Sequence, residues 1–227
     1  MGLALLLGAC ATPPPDLPTA AQLDILIPEP EFGRLGRVND WTIAGIGHGE
    51  RAPRLTAIQH GGEPAIRVSA GNNRLIAVRQ IGALLPATPY LSWWWHLSPS
   101  SAEFHPVRLI VGLRTVEERS PRKRPPASDP ALPDHQRLLS FVFGASALQR
   151  GTLVRAEGPG DTGVYIVSGG GENTGTWRTE AVDLEDLYRR LWPTDDPAWV
   201  EVVFIGIAAE PSVTKEAADL RNIALQR

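Results

Sequence analysis

The chain is poor in cysteine, in long apolar runs and in excess positive charge, and each shortage excludes a class of protein. Cys10 is the single cysteine among 227 residues, so no disulfide can form within the chain. The formal net charge is −3 at pH 7. That value argues against a nucleic-acid partner, because proteins that bind nucleic acids neutralise phosphates with a basic face. No apolar stretch approaches the roughly 20 residues of a membrane-spanning helix.

Recognisable catalytic and metal-binding motifs are missing as well. Residues 144–148 resemble a nucleophile elbow, but the last position is Leu148 where the motif requires glycine. The histidines show no i,i+4 pair and no neighbouring cluster of carboxylates, so their spacing predicts no metal site. The sequence contains five of them: His48, His60, His96, His105 and His135. We therefore predict no catalytic residue, no metal ligand and no cofactor.

A carboxylate pair of the glycosidase kind stays open as an alternative. Glycoside hydrolysis needs two carboxyl groups about 5–9.5 Å apart across a cleft. Four glutamates lie near predicted strands or strand ends: Glu103, Glu180, Glu201 and Glu210. Their spacing selects no pair, so surface or loop-pinning roles are favoured for each. A glycan-active hydrolase or lyase is the alternative function.

The N-terminal segment indicates a lipoprotein. Met1–Cys10 reads MGLALLLGAC and ends in Leu-Gly-Ala-Cys, which resembles a bacterial lipobox. The Cys10 thiol is the nucleophile that can be alkylated by lipid. A signal peptide requires a Lys or Arg before its apolar run, and here none precedes it. A start site further upstream would explain this. The alternative is a buried apolar strand with an incidental cysteine.

The segment after Cys10 has the composition of a tether. Residues 11–22 read ATPPPDLPTAAQ, and their prolines favour an extended polyproline conformation. We assign 1–9 to a signal peptide, 10–37 to a lipid anchor and Pro-rich tether, and 38–227 to one folded domain. Ala11 follows the cysteine, as in lipoproteins exported to the outer membrane. We expect a bacterial envelope location on the periplasmic side, with the membrane contacted through the lipid on Cys10.

From residue 41 onward the chain predicts an all-β domain. Short β-type runs alternate with Gly, Pro and Asn, which is typical of an antiparallel β-sandwich of jelly-roll type, like many carbohydrate-binding modules. The predicted strands are 41–46, 54–59, 65–69, 74–81, 90–97, 107–114, 137–144, 163–168, 176–182, 200–208 and 219–225. One helix is predicted over 184–191, capped by Asp183. The stretch 115–136 has no apolar periodicity, and we expect a mobile, non-catalytic loop there.

Residues 89–97, PYLSWWWHL, carry three consecutive tryptophans. Side chains alternate along a strand, so Trp93 and Trp95 should face the core, and Trp94 and His96 should face away from it. Two interpretations of Trp94 stay open. Either the helix or the 115–136 loop covers it, or it lines a binding face with His96 and with Arg108 from the neighbouring strand. An indole is a flat apolar platform for a sugar, so an envelope polysaccharide is the partner we expect.

Several blocks resemble a bacterial family, domain of unknown function 3047, over roughly residues 38–225. PYLSWWWHL, LLSFVFG, TGTWRTEAVDLEDLYRRLW and VFIGIAAEPSVTKEAADLRNIAL carry the resemblance. Trp93, Trp95 and Arg108 match the family's Trp-x-Trp strand and following arginine. Acidic residues typical of the family are reduced here, at Ala102-Glu103, at Leu187 and around Glu210. The resemblance implies one domain in the cell envelope and implies no activity.

Overall fold

The protein folds as a β-sandwich of two packed sheets. In the computed structural model the described residues are 22–26, 36–38, 40–47, 49–116, 131–156 and 161–227. They contain fourteen strands and one α-helix. The predicted all-β sandwich with one short helix is confirmed. Among the described residues, no helix has the length and apolar character needed to cross a membrane.

The strands are numbered in chain order. They are β1 (Gln22–Asp24), β2 (Gly36–Val38), β3 (Trp41–Ala44), β4 (Arg54–His60), β5 (Glu63–Ser69), β6 (Leu75–Leu84), β7 (Tyr90–Leu97), β8 (Val107–Thr115), β9 (Arg137–Gly144), β10 (Leu153–Ala156), β11 (Asp161–Gly169), β12 (Trp177–Asp183), β13 (Val200–Ala209) and β14 (Ala217–Gln226). All eleven predicted strands are present. The sequence patterns missed β1, β2 and β10, which have three or four residues each and are too short to show an alternation.

The fourteen strands divide into a smaller sheet A and a larger sheet B. Sheet A has the order β12-β7-β14-β5-β4, and β1 also pairs with β14. Sheet B has the order β10-β11-β9-β8-β13-β6-β3-β2. The neighbouring strands are antiparallel except for β9 and β11, which run parallel. This parallel pair is the one departure from the predicted antiparallel arrangement among the described strands. It arises because β11 lies between β9 and β10, and β10 is the hairpin partner of β11.

The folded domain begins earlier than the predicted boundary at residue 38. Gln22–Asp24 forms β1 and pairs with the end of β14. Ile25 and Leu26 follow it into the interior and are buried. Both of their backbone amides donate to the carbonyl oxygen of Ile223. Residues 22–26 therefore belong to the sandwich, although they were assigned to the tether.

The interior between the sheets is closed at one end by α1 (Leu184–Leu191). Asp183 caps this helix, since its side chain accepts a hydrogen bond from the backbone amide of Asp186. The apolar residues Leu184, Leu187, Tyr188 and Leu191 join the same buried cluster as Trp93, Trp95 and Phe141. The amphipathic pattern that predicted the helix thus describes a lid on the core.

The outer face of sheet B is covered in part by the segment before β9. Leu132 is buried against this face together with Ile110 and Phe204, and His135 packs edge-on against the Phe204 ring at 5.2 Å between centroids. These contacts place the end of the predicted 115–136 loop on sheet B. Residues 117–130 of that loop lie outside the described residues.

Candidate functional site

The three consecutive tryptophans divide between the two faces of β7, as their alternation predicts. Trp93 and Trp95 are 0% exposed and pack edge to face, with ring centroids 5.6 Å apart. Trp94 and His96 point to the outer face of sheet A and are half-buried. The core assignment of Trp93 and Trp95 is confirmed. The surplus tryptophan belongs to the outer face, where the candidate site lies.

A register shift in β14 shapes this outer face. The pairing of β14 with β7 shifts between Arg221 and Ala224. Asn222 lies at the shift with a φ of 51°, a left-handed conformation that asparagine tolerates better than most residues. Before the shift, odd-numbered residues such as Arg221 face outward. After it, Ala224 and Gln226 face outward instead, so the bulge brings them beside Trp94.

A groove of about 490 Å³ opens on this face between β1 and β7, with β14 as its floor. Its volume lies within the range of small-molecule binding sites. Eight residues line it: Gln22, Asp24, Leu26, Ser92, Trp94, Asn222, Ala224 and Gln226. Trp94 supplies an aromatic wall, and the polar lining consists of amides, one hydroxyl and one carboxylate. We call this the Trp94 groove.

The polar residues of the Trp94 groove form a short hydrogen-bonded chain across three strands. Gln22 donates to Asp24 Oδ1 at 2.6 Å. Gln226 donates to Ser92 Oγ at 3.3 Å and to Gln22 Oε1 at 3.5 Å. Amide and hydroxyl groups both donate and accept hydrogen bonds, and so do the hydroxyl groups of a sugar. A bound sugar can therefore replace the long hydrogen bonds that Gln226 makes within the groove with hydrogen bonds to its own hydroxyl groups.

Arg221 packs against the Trp94 ring next to the groove. Its guanidinium carbon lies 5.2 Å from the centroid of the Trp94 ring and 4.6 Å from that of Trp177. Its Nη1 is 3.5 Å from a carboxylate oxygen of Glu63. Arg221 thus makes cation–π contacts with two indole rings.

A second group of side chains, the histidine cluster, adjoins Arg221 on the same face. It consists of His60, His96 and Asp219, which offer one possible metal-ligand atom each within 4.8 Å of one another. The two imidazole rings are 4.4 Å apart between centroids. Trp177 packs against both rings, at 5.1 Å from His60 and 5.8 Å from His96.

The curl of one hairpin brings this cluster together. β5 pairs with β14 only over Ile66–Ser69, whereas its pairing with β4 continues to the turn after His60. The tip of the β4–β5 hairpin therefore leaves the plane of sheet A. The contact between the rings of His60 and His96 shows that the tip folds over the outer face, because two other strands separate β4 from β7.

Asp219 is the buried acid at the base of the cluster, with 2% of its side chain exposed. Arg67 donates from Nε to Oδ1 at 2.6 Å and from Nη2 to Oδ2 at 2.8 Å. His60 Nδ1 lies 2.5 Å from Oδ2. Burial alone raises the pKa of Asp219, but the hydrogen bonds from Arg67 and His60 outweigh it and hold that pKa below its usual value. The carboxylate is therefore ionised at neutral pH.

Arg108, predicted to lie beside Trp94 and His96, is on the other side of the molecule. β7 and β8 are consecutive in sequence but belong to different sheets. Arg108 points to the outer face of sheet B, where its Nη2 is 3.7 Å from Glu210. Burial lowers its pKa, opposed by the charge of Glu210. The predicted grouping of Arg108 with the two aromatic residues is wrong.

Of the two predicted covers of Trp94, the structure describes α1 and the end of the 115–136 loop, and both pack elsewhere. The apolar side chains of α1 join the interior, and residues 131–135 pack on sheet B. Trp94 is instead covered in part by Arg221. Its remaining surface lines the groove.

The four glutamates considered for a hydrolytic pair lie away from the Trp94 groove. Glu201 is buried beside Arg114, and Glu210 lies between Arg74 and Arg108. Glu180 pairs with Trp93 on the inner face of sheet A, where burial raises its pKa. Glu103 is exposed. Among the described residues that line the groove, Asp24 is the single carboxylate.

Comparisons with known proteins find likeness at the level of structure. No family model matches the chain, and no curated protein matches it. The resemblance to domain of unknown function 3047 therefore stays a prediction.

The similar solved structures are distant. A family 11 carbohydrate-binding module from Clostridium thermocellum, in complex with a β-1,3-1,4-mixed-linked tetrasaccharide, is 11% identical, with alignment over 92% of this chain and 97% of that one and a TM-score of 0.46. A family 30 carbohydrate-binding module is 12% identical, with alignment over 91% of this chain and 98% of that one and a TM-score of 0.48. A family 12 xyloglucanase from Bacillus licheniformis is 10% identical, with alignment over 91% of this chain and 100% of that one and a TM-score of 0.48. Binding modules and a hydrolase have similar scores, so this likeness assigns no function.

Proposed function

We propose that this protein is an envelope-anchored lipoprotein that binds a glycan, without cleaving it, in the Trp94 groove. The observation that carries the proposal is the position of Trp94. Its neighbours Trp93 and Trp95 are fully buried in the core, whereas Trp94 forms the wall of a groove whose other lining is mainly polar. An indole beside amides and a hydroxyl suits a sugar ring, which has an apolar face and a rim of hydroxyl groups.

The charges around the groove favour a neutral glycan. Asp24 lines the groove and would repel a carboxylated or phosphorylated sugar. Arg221, the nearby cation, is 16% exposed and is engaged by Glu63 and by two indole rings. The neutral hydroxyl groups of a sugar can hydrogen-bond to the amides of Gln22, Asn222 and Gln226, and they bring no charge that would need a partner in the groove.

Binding without cleavage is supported by the carboxylates of the groove. Glycoside hydrolysis requires a second carboxyl group facing the first, and Asp24 has no such partner among the described residues that line the groove. The anchoring part of the proposal depends on the lipobox at Leu7–Cys10 and on the Pro-rich stretch that follows it. Two or more acyl chains would hold the domain stably at the membrane.

The test is retention on insoluble peptidoglycan and isothermal titration with a panel of neutral oligosaccharides of four to six units. We expect Trp94→Ala to weaken binding by about tenfold or more, equivalent to about 1.4 kcal/mol. Trp199→Ala is the matched control, because Trp199 is an exposed tryptophan outside the groove. The proposal fails if no member of the panel binds, or if Trp94→Ala binds as well as Trp199→Ala.

The hydrolase or lyase alternative is distinguished in the same samples. A binding module leaves the oligosaccharides intact, whereas a hydrolase generates new reducing ends and a lyase generates an unsaturated sugar that absorbs in the ultraviolet. If products form and Asp24→Asn abolishes them, the protein is an enzyme and non-catalytic binding is wrong.

A further inference from the structure

We propose that His60, His96 and Asp219 form a binding site for a divalent transition-metal ion such as Zn²⁺. Each residue presents one ligand atom within 4.8 Å of the others. Two imidazole nitrogens and one carboxylate oxygen form a ligand set that Zn²⁺ and other first-row transition metals accept. The site would sit on the outer face of sheet A, next to the Trp94 groove.

The cluster is organised before any ion enters. Arg67 holds both oxygens of Asp219 by two hydrogen bonds, and Trp177 packs against both imidazole rings. Hydrogen bonds to a ligating carboxylate orient it for its metal, as outer-shell partners do in known sites.

Access and geometry also suit an ion. His60 and His96 are half-buried, so part of each side chain is open to solvent. A tetrahedral zinc ion with bonds of about 2.0–2.1 Å places its ligand atoms roughly 3.3 Å apart. The contact of 2.5 Å between His60 Nδ1 and Asp219 Oδ2 must therefore open slightly. The widest separation, at most 4.8 Å, must close by about 1.5 Å. Rotation of the two histidine side chains can supply both changes.

Three protein ligands leave at least one coordination position open. Structural zinc sites use four protein ligands, whereas three ligands and an open face are typical of sites that bind water or an external group. The open face would look out from sheet A beside the groove. Arg67 reduces the affinity by placing a positive charge behind the carboxylate, so we expect a site that binds exchangeably.

The experiment is isothermal titration of the full chain at pH 7.5 with Zn²⁺, Co²⁺ and Mg²⁺. The chain should carry Cys10→Ala, so that a free thiol cannot bind the ion. We expect one equivalent of Zn²⁺ to bind and Mg²⁺ to give no heat, because Mg²⁺ prefers an all-oxygen octahedral shell. We expect His60→Ala, His96→Ala and Asp219→Asn each to weaken Zn²⁺ binding by at least roughly tenfold, or about 1.4 kcal/mol.

His135→Ala is the matched control, because His135 packs on Phe204 of sheet B, away from the cluster. It should keep the affinity of the parent chain. The visible absorption of Co²⁺ bound to the parent chain gives a second readout. It does not depend on whether any variant folds. The metal site is refuted if the parent chain binds no Zn²⁺, or if the His60→Ala/His96→Ala double variant binds it equally well. Glycan retention is measured separately in EDTA, which removes metal ions. If the glycan is retained there although no Zn²⁺ binds to the parent chain, the metal site fails and the proposed glycan groove does not.

Discussion

We predict that His105 makes the stability of this protein sensitive to mild acid. The residue is 2% exposed between the core and the start of β8. Its backbone amide donates to Phe143 O at 2.9 Å, and its Nδ1 accepts from the Val107 amide at 3.2 Å. Burial, opposed in part by the charge of Glu216, lowers the pKa of His105 from 6.5 to about 4. The folded state therefore keeps this imidazole neutral where the unfolded chain would protonate it.

The sign and size of the effect follow from proton binding. Between pH 6.5 and 4 the unfolded state binds more protons at this position, so stability falls as the pH falls through that window. The contribution is fully present above pH 6.5. A shift of one pKa unit is about 1.36 kcal/mol, and integration from pH 7.5 down to 4.5 gives a loss of about 2–3 kcal/mol for this group. With a urea m-value of about 3 kcal/mol/M, the midpoint moves by about 1 M.

The assay compares urea unfolding of the parent chain and of His105→Asn at pH 7.5, 6.5, 5.5 and 4.5. Asparagine keeps an acceptor for the Val107 amide but cannot be protonated in this range. The variant should be less stable at pH 7.5, because it leaves a small cavity. Its further loss down to pH 4.5 should be smaller than that of the parent by about 2–3 kcal/mol. Equal pH slopes in the two proteins would show that His105 takes up its proton as readily in the folded chain as in the unfolded chain, and would refute the reasoning.

Two further predictions concern the core and the anchor. Trp95→Ala should cost about 3–5 kcal/mol in urea unfolding, because Trp95 is 0% exposed and packs on Trp93 and Phe143; a loss below about 1 kcal/mol would contradict its place in the core. Mass spectrometry of the membrane fraction should show a mature chain that begins at lipidated Cys10, and Cys10→Ala should move the protein to the soluble fraction. A soluble chain that retains Met1 and a free Cys10 thiol would contradict the anchor.

The architecture could be predicted because the patterns that specify it are local. The period-2 alternation of β7 assigns Trp93 and Trp95 to one face and Trp94 to the other, whichever sheet the strand joins. The helix 184–191 is marked by an N-cap and an apolar stripe that lie within nine residues of each other. Signals of this kind need no information from the rest of the chain.

The composition of the site could not be predicted, because it depends on which strands become neighbours. Arg108 follows Trp94 closely in sequence and was expected beside it, yet the chain crosses to sheet B between β7 and β8. Asp219 is 123 residues from His96 and lies opposite it in the register of β14 and β7. Histidine spacing along the chain could not reveal the cluster, since His60 reaches it through a hairpin that curls out of its sheet.

The sequence by itself therefore determined eleven of the fourteen described strands, the helix and the inward tryptophans, since burial of alternate apolar side chains is a property of each segment. It also carries, as local patterns, a segment that resembles a lipobox and a Pro-rich stretch after it. Only the tertiary structure decided that Trp94 lines a groove, that Arg221 contacts two indole rings, and that two histidines meet a buried aspartate. Those contacts arise from strand order, from a bulge at Asn222 and from the entry of residues 22–26 into sheet A. Each of these features joins parts of the chain that have no local pattern in common.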